Sequence, residues 1–247
     1  MKKWVSTALL VAVVMSLAVG QKEDFVWVFG STGFGWPNAP KNDVALLDFN
    51  FEPPKVEFVH KPPGVDAANT SWCDSSGQLK LFSNGKRIFD GDFTVLPGAN
   101  NMLDSPDWDA GYAAVAGALI LPYPNKKDTF IYFSGDLYNY QTPQNPPWWY
   151  VGFKPILYST FSIGATGTKM VEYRKELFNQ EVTVDGHLVA VRHGNGRDWW
   201  VMQPVPFSDR YIAYSATPNG ISVHHIDHTG QHITDTGIGQ TCFSPDG

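Results

Sequence analysis

The chain has 247 residues, of which 43% are hydrophobic and only 17% charged, and its formal net charge is −6. That acidic balance excludes binding to nucleic acid or to an anionic membrane through bulk charge. Abundant Gly, Pro and aromatic residues with few charges exclude disorder and helix bundles, and point to turn-dense β structure.

Lys2 and Lys3 form a short positive region, Trp4 to Leu17 an apolar run, and Ala18-Val19-Gly20 a small-residue cleavage site. Residues 1–20 therefore read as a secretory signal peptide. The apolar run is shorter than the roughly 20 residues that cross a bilayer, so no membrane span is expected after cleavage. Loss of two of the 18 basic residues, against 24 acidic ones, takes the formal net charge from −6 to −8. Residues 21–247 are expected to form a single secreted or cell-surface domain, since all-β domains reach this length. Nothing in the spacing brings Cys73 and Cys242 together, so two small buried thiols are expected rather than a disulfide.

Short strands follow one another along the mature chain. Phe25 to Gly30 is aromatic and β-branched, and Val44 to Asn50 is apolar up to the stop at Pro53-Pro54. Ser71-Trp72-Cys73 leads through the polar turn Asp74-Ser75-Ser76-Gly77 to Gln78 to Phe82, then through Asn84-Gly85 to Arg87-Ile88-Phe89. That is a strand, an Asp-x-x-Gly turn, a strand, an Asn-Gly turn and a strand. Ala118 to Pro122, Thr129 to Phe133 and Ile156 to Ile163 repeat the plan, with a long loop expected from Gly135 to Pro155. Lys169 to Asn179 is the one stretch with helical potential, but its apolar residues make no clean 3.6-residue stripe. Trp199 to Met202, Tyr211 to Ser215 and Ile221 to Ile226 close the series. The fold class is all-β.

Three segments, Ser71 to Phe89, Ala118 to Ile163 and Val189 to Ile226, share the same order of strands and turns. Such repeats of about 40 to 50 residues are what propeller blades look like, because one blade cannot bury both of its faces. A two-sheet sandwich with irregular loops is the alternative. The closing Phe243-Ser244-Pro245-Asp246-Gly247 reads as the start of a fourth unit, since a Pro-Asp-Gly turn requires a strand on each side.

The order of these motifs carries a resemblance. Trp27-Val28-Phe29-Gly30, Leu47-Asp48-Phe49-Asn50, Ser71 to Leu79 with Phe82-Ser83-Asn84-Gly85, Ala118 to Pro122, and His193 to Val201 look like the start of large secreted bacterial propeller proteins. Those are of the type exported by the type IX system in gliding bacteria, and the closing segment is similar to WD-type repeats. The resemblance implies a multi-bladed propeller followed by adhesive modules and a sorting domain. This chain departs from it, so the expectation is a partial β-propeller of about three to four blades of antiparallel strands, either a fragment of a longer product or a fold closed in another way.

Candidate sites are sparser than the architecture. The long aromatic loop Tyr138 to Phe153 carries Tyr140, Trp148, Trp149 and Tyr150, which suit a sugar ring or a protein partner, or else cover a sheet edge. His224, His225, Asp227, His228 and His232 cluster. On a strand, though, His224 and His228 share one face and His225 and Asp227 the other, so no metal site is assigned. His193 and Asp198 flank a Gly-Asn-Gly turn, read as structural rather than as a catalytic pair. Gly-x-Ser-x-Gly, His-Glu-x-x-His and phosphate-loop patterns do not occur, and no cofactor is called for. The expected function is non-catalytic binding of an extracellular protein or glycan. The alternative, a propeller enzyme acting on polysaccharide, requires two of Asp74, Asp136 and Asp198 to face each other about 5 to 9.5 Å apart.

Overall fold

The computed structural model describes residues 22–30, 43–60, 64–65, 68–103, 116–142, 149–226, 228–229, 233 and 241–244. Residues 1–20, expected to be a signal peptide, and Trp148, Asp227, His232 and the closing Pro245-Asp246-Gly247 lie outside the described residues.

Among the described residues there are fifteen strands and no helix, and the strands form four antiparallel sheets in chain order. The first sheet is β1 (Val26–Gly30), β2 (Asp43–Asp48) and β3 (Lys55–His60), and the second is β4 (Thr70–Cys73), β5 (Leu79–Ser83) and β6 (Ile88–Asp90). The third runs β7 (Ala118–Pro122), β8 (Thr129–Tyr140), β9 (Tyr150–Gly164) and β10 (Gly167–Phe178), with β11 (Thr183–Val184) also paired to β9. The fourth is β12 (Val189–Arg192), β13 (Trp199–Pro204), β14 (Tyr211–Thr217) and β15 (Gly220–Ile226). Apart from β11, each sheet is a meander of sequential neighbours, and four separate sheets are not the two of a sandwich.

The sheets stack in the order in which they occur, and the alternation of side chains along each strand shows why. In β8, Phe130 and Tyr132 point to one face and pack with Leu81 and Ile88 of the second sheet. Ile131 and Phe133 point to the other face and pack with Val201, Ile212 and Tyr214 of the fourth. The unbroken apolar run 130–133 is the signature of a strand buried on both faces. The second sheet is used the same way, since Phe82 and Phe89 turn from Leu81 and Ile88 to meet Val28 and Val44 of the first. Tyr132 ties the second and third sheets further: its buried hydroxyl donates to Gly85 O at 2.8 Å and lies 3.2 Å from Ser83 Oγ.

The first strands of the first three sheets also meet one another, and the fourth sheet joins them through β13. Ser71 Oγ donates to Val26 O at 2.8 Å, joining β4 to β1, and Ile120 N donates to Thr70 Oγ1 at 3.3 Å, joining β7 to β4. Trp199 Nε1 donates to Pro122 O at 3.0 Å, which brings the β12–β13 hairpin to β7. Buried Cys73 accepts from Val26 N through its sulfur at 3.3 Å, and burial pushes its thiol up to about 11. Both cysteines are free, and Cys242 is exposed rather than buried.

Three elements differ from the sequence expectation. Pro53-Pro54 is followed at once by β3, whose Val56 and Phe58 alternate with Lys55 and Glu57. The long loop from Gly135 to Pro155 is mostly strand, because β8 runs on to Tyr140 and β9 begins at Tyr150. Pro155 fits inside β9 because the register shifts between Gly135 and Leu137 leave it facing no ladder partner, and Gly135 has no room for a Cβ beside the Phe153 ring. The Lys169 to Asn179 stretch is edge strand β10, where three register shifts break the apolar period in both the helical and the strand sense.

One sheet face is open. Trp27, Phe29, Val56 and Phe58 share the side of the first sheet that faces away from the second, and Phe58 is 68% exposed. Truncation should therefore cost far more inside the third sheet than on this open face. Phe133→Ala is expected to cost about 3 to 5 kcal/mol, and Phe58→Ala less than about 0.5 kcal/mol. Urea unfolding of the two variants measures both, and similar losses would contradict this packing.

Candidate functional site

The convergence of first strands leaves a cleft of about 490 Å³. Glu23 and Asp24 enter it from the turn before β1, Trp72 from β4, Leu121 and Pro122 from β7, Arg192 from β12 and Trp199 from β13. Each is placed by local chemistry. Cys73 N donates to Glu23 O at 2.7 Å and Phe25 N to Lys22 O at 3.2 Å, which fixes the acidic turn against the end of β4. Trp72 sits edge-on to Phe130, ring centroids 4.7 Å apart, and a register shift follows it at Cys73. Arg192 and Trp199 are directly opposed across the β12–β13 pair, with the guanidinium carbon 4.0 Å from the indole centroid.

Among the described residues Glu23 Oε2, Trp72 Nε1 and Arg192 Nε have no hydrogen-bond partner, and all three atoms are shielded from solvent. Burial lowers the pKa of the Arg192 guanidinium, while the charge of Glu23 works the other way. A buried donor or acceptor left unmatched costs about 1 to 3 kcal/mol, and the Tyr140 and Tyr214 hydroxyls elsewhere share that condition. Two other clefts, one between the outer parts of the first and second sheets and one between the second and third, are lined by none of these orphaned atoms.

The sequence-predicted residues fall elsewhere. Tyr140 and Tyr150 are paired across the β8–β9 hairpin with centroids 5.8 Å apart, and Tyr150 packs edge-on against Phe207 at 5.1 Å. Burial pushes the Tyr140 hydroxyl up, and this hydroxyl has no partner. Trp149 beside them is 66% exposed. Two rings of the expected binding loop thus brace the third sheet against the loop after β13, while Trp149 and, less so, Tyr138 are exposed.

The three carboxylates that the enzyme alternative needed belong to separate sheets, each tied to local partners. Asp74 Oδ1 accepts from Ser76 Oγ at 2.6 Å, Ser76 N at 2.9 Å and Gln78 N at 3.1 Å, and the Ser76 hydroxyl leads in holding its pKa down to about 2. Asp136 pairs with Arg174 Nη2 at 2.8 Å. Asp198 pairs with Arg197 and accepts from Asn195 Nδ2 at 2.8 Å, and the Arg197 guanidinium holds it down to about 2. Its carboxylate does not bond the His193 ring: Nδ1 of His193 accepts from Asn195 N at 3.1 Å, and the two residues meet only through backbone, His193 N to Asp198 O at 2.9 Å. The segment is a tight structural turn.

β15 stays extended through Ile226, so His224 and His225 lie on opposite faces. His224 Nε2 is 3.0 Å from Ser215 Oγ, and His225 packs on Phe178. Among the described residues no three His, Cys, Asp or Glu side chains are gathered in a way that could hold a metal ion.

No protein-family model, curated protein or solved structure matches the chain.

The cleft was missed by sequence reading because its members come from four sheets, at positions 23, 72, 121 and 192. The available signal was Trp72 inside the Ser71 to Leu79 motif and the Arg192 to Trp199 pairing implied by the hairpin.

The turn at Asp198 has a defined acid response. Its folded pKa, about 2, lies below the ordinary 3.8, so its contribution is complete above about pH 4 and is lost as the pH falls through about 2. Stability measured by urea unfolding between about pH 4 and about pH 2 is expected to fall more steeply for the native protein than for Asp198→Asn. Parallel acid profiles would show that the carboxylate is not held in this way.

Proposed function

We propose that this chain is a secreted or cell-surface, non-catalytic module of partial β-propeller architecture that binds an extracellular protein or glycan. The observation that carries this reading is the cleft itself. Four sheets follow one another face to face, and Asp24, Trp72, Arg192 and Trp199 meet in one cleft with Glu23 and Pro122. In a propeller the first strand of each blade lines the axis, and the axial opening is a common place to bind a partner. The open aromatic face of the first sheet is the kind of surface that a further blade would cover.

Support for export comes from residues 2–20, with their positive, apolar and small-residue regions in order. Support for binding over catalysis comes from Asp74, Asp136 and Asp198, each spent on an ion pair or a turn. The mature chain's acidic balance weighs against nucleic acid as the partner.

Screening purified residues 21–247 against immobilised oligosaccharides and an extracellular protein fraction tests this reading. A saturable partner is expected, and Arg192→Ala should weaken its binding at least about tenfold, equivalent to about 1.4 kcal/mol. Trp149→Ala should leave it within about twofold. Loss of binding with Trp149→Ala but not with Arg192→Ala would return the site to the β8–β9 hairpin, and turnover of an oligosaccharide would overturn the non-catalytic reading.

A further inference from the structure

The open side of the first sheet is a second surface, separate from the cleft. We propose that it is a self-association face: two copies of this chain pack their first sheets against each other, each in the place a further blade would take.

Residue alternation builds the face. Strand pairing sets Trp27, Leu47 and Val56 in one row and Phe29, Ala45 and Phe58 in the next. Val28 and Val44 point the other way, into the core shared with the second sheet. The Trp27 and Phe29 rings lie edge-on with centroids 6.1 Å apart, so the aromatic surface is continuous along β1. Faces as apolar as this are covered in the second and third sheets. Left open on a protein surface, a contiguous apolar patch of a few hundred Å² marks an interaction site.

The area matches what a dimer needs. Trp27 is 44% exposed, Phe29 42%, Val56 56% and Phe58 68%. Since a large aromatic side chain buries about 150 to 250 Å² when fully covered, these four leave on the order of 400 Å² of apolar area. A stable dimer buries about 800 Å² on each copy, of which about 65%, or about 500 Å², is apolar. The four side chains supply most of that share, and the half-buried Ala45 and Leu47 lie between them in the same contact.

Charge decides what covers the face. Its two rows hold no ionisable side chain, whereas Asp48, Lys55 and Glu57 stand on the other side of the same strands. A charged partner would give up its hydration there with nothing to bond. The matching surface must be apolar, uncharged and equally broad. Apart from Phe51 beside this sheet, the other exposed large apolar side chains among the described residues fall into two smaller groups. These are Leu137, Tyr138 and Trp149 at the β8–β9 hairpin, and Val171 and Tyr173 on β10. The first sheet of a second copy is the surface that matches. Contact between the same patch on both copies closes a two-fold dimer, the commonest symmetric assembly, and brings no like charges of two acidic chains together at its centre.

Sedimentation velocity of residues 21–247 between about 1 and about 200 µM is expected to show a reversible monomer–dimer equilibrium, strengthened as salt screens the net negative charge. Phe58→Asp and Val56→Lys, both at exposed positions, should each weaken the dimer at least about tenfold while keeping the circular dichroism of the folded monomer. Ser222→Arg, exposed on the side of the fourth sheet that faces away from the third, should leave it within about twofold. A chain that stays monomeric up to the highest concentration, or a dimer that survives both first-sheet substitutions, overturns the proposal. So does loss of the dimer with Ser222→Arg, which would mean that the fourth sheet meets the first head to tail, and so does growth past the dimer, which a closed two-fold contact forbids. A monomer that still binds an extracellular partner through Arg192 would remove the self-association and keep the binding role. A dimer lost with Phe58→Asp, with no extracellular partner found, would keep the self-association and remove the binding role.

Discussion

The constraint on which this structure depends is that its inner sheets are apolar on both faces. A β-strand sends successive side chains to opposite sides, and in β8 the residues on both sides are large and hydrophobic: Phe130 and Tyr132 one way, Ile131 and Phe133 the other. Such a sheet has no face to offer water. It is stable only between two others, and the second sheet, with Leu81 and Ile88 against Phe82 and Phe89, is under the same demand. Consecutive meanders therefore stack in chain order, and stacking brings their first strands side by side. The cleft is a consequence of that packing, because β4 touches β1 and β7 while β12 and β13 close on β7 through Trp199.

Much of the local structure was legible. The Asp74 to Gly77 and Asn84-Gly85 turns, the strands on either side of them and the all-β class follow from turn chemistry and alternation, and they stand as expected. The misreadings have physical causes. β3 was hidden by Pro53-Pro54, although prolines outside a strand do not prevent one from starting after them. The β8–β9 extension was hidden by Gly135 and Pro155, which mark a bulge inside two long strands rather than their ends. β10 lost its period to three register shifts, each of which moves following side chains to the other face.

The site was less legible than the fold. Aromatic density directed attention to Tyr140, Trp149 and Tyr150, yet density does not tell a ring that packs from one that waits for a ligand. Tyr140 and Tyr150 pack on each other and on Phe207. What marks the cleft is that Glu23, Trp72 and Arg192 are brought together from separate parts of the chain, a property of three-dimensional placement. Each of those residues alone reads as an ordinary surface acid, a strand aromatic or a strand-end cation.

That each inner sheet needs cover on both faces is tested most directly by urea unfolding of Leu81→Ala and Phe82→Ala, neighbours in β5 that are fully buried against opposite sheets. A loss of about 2 to 5 kcal/mol is expected from each. A large loss from one and less than about 0.5 kcal/mol from the other would contradict it.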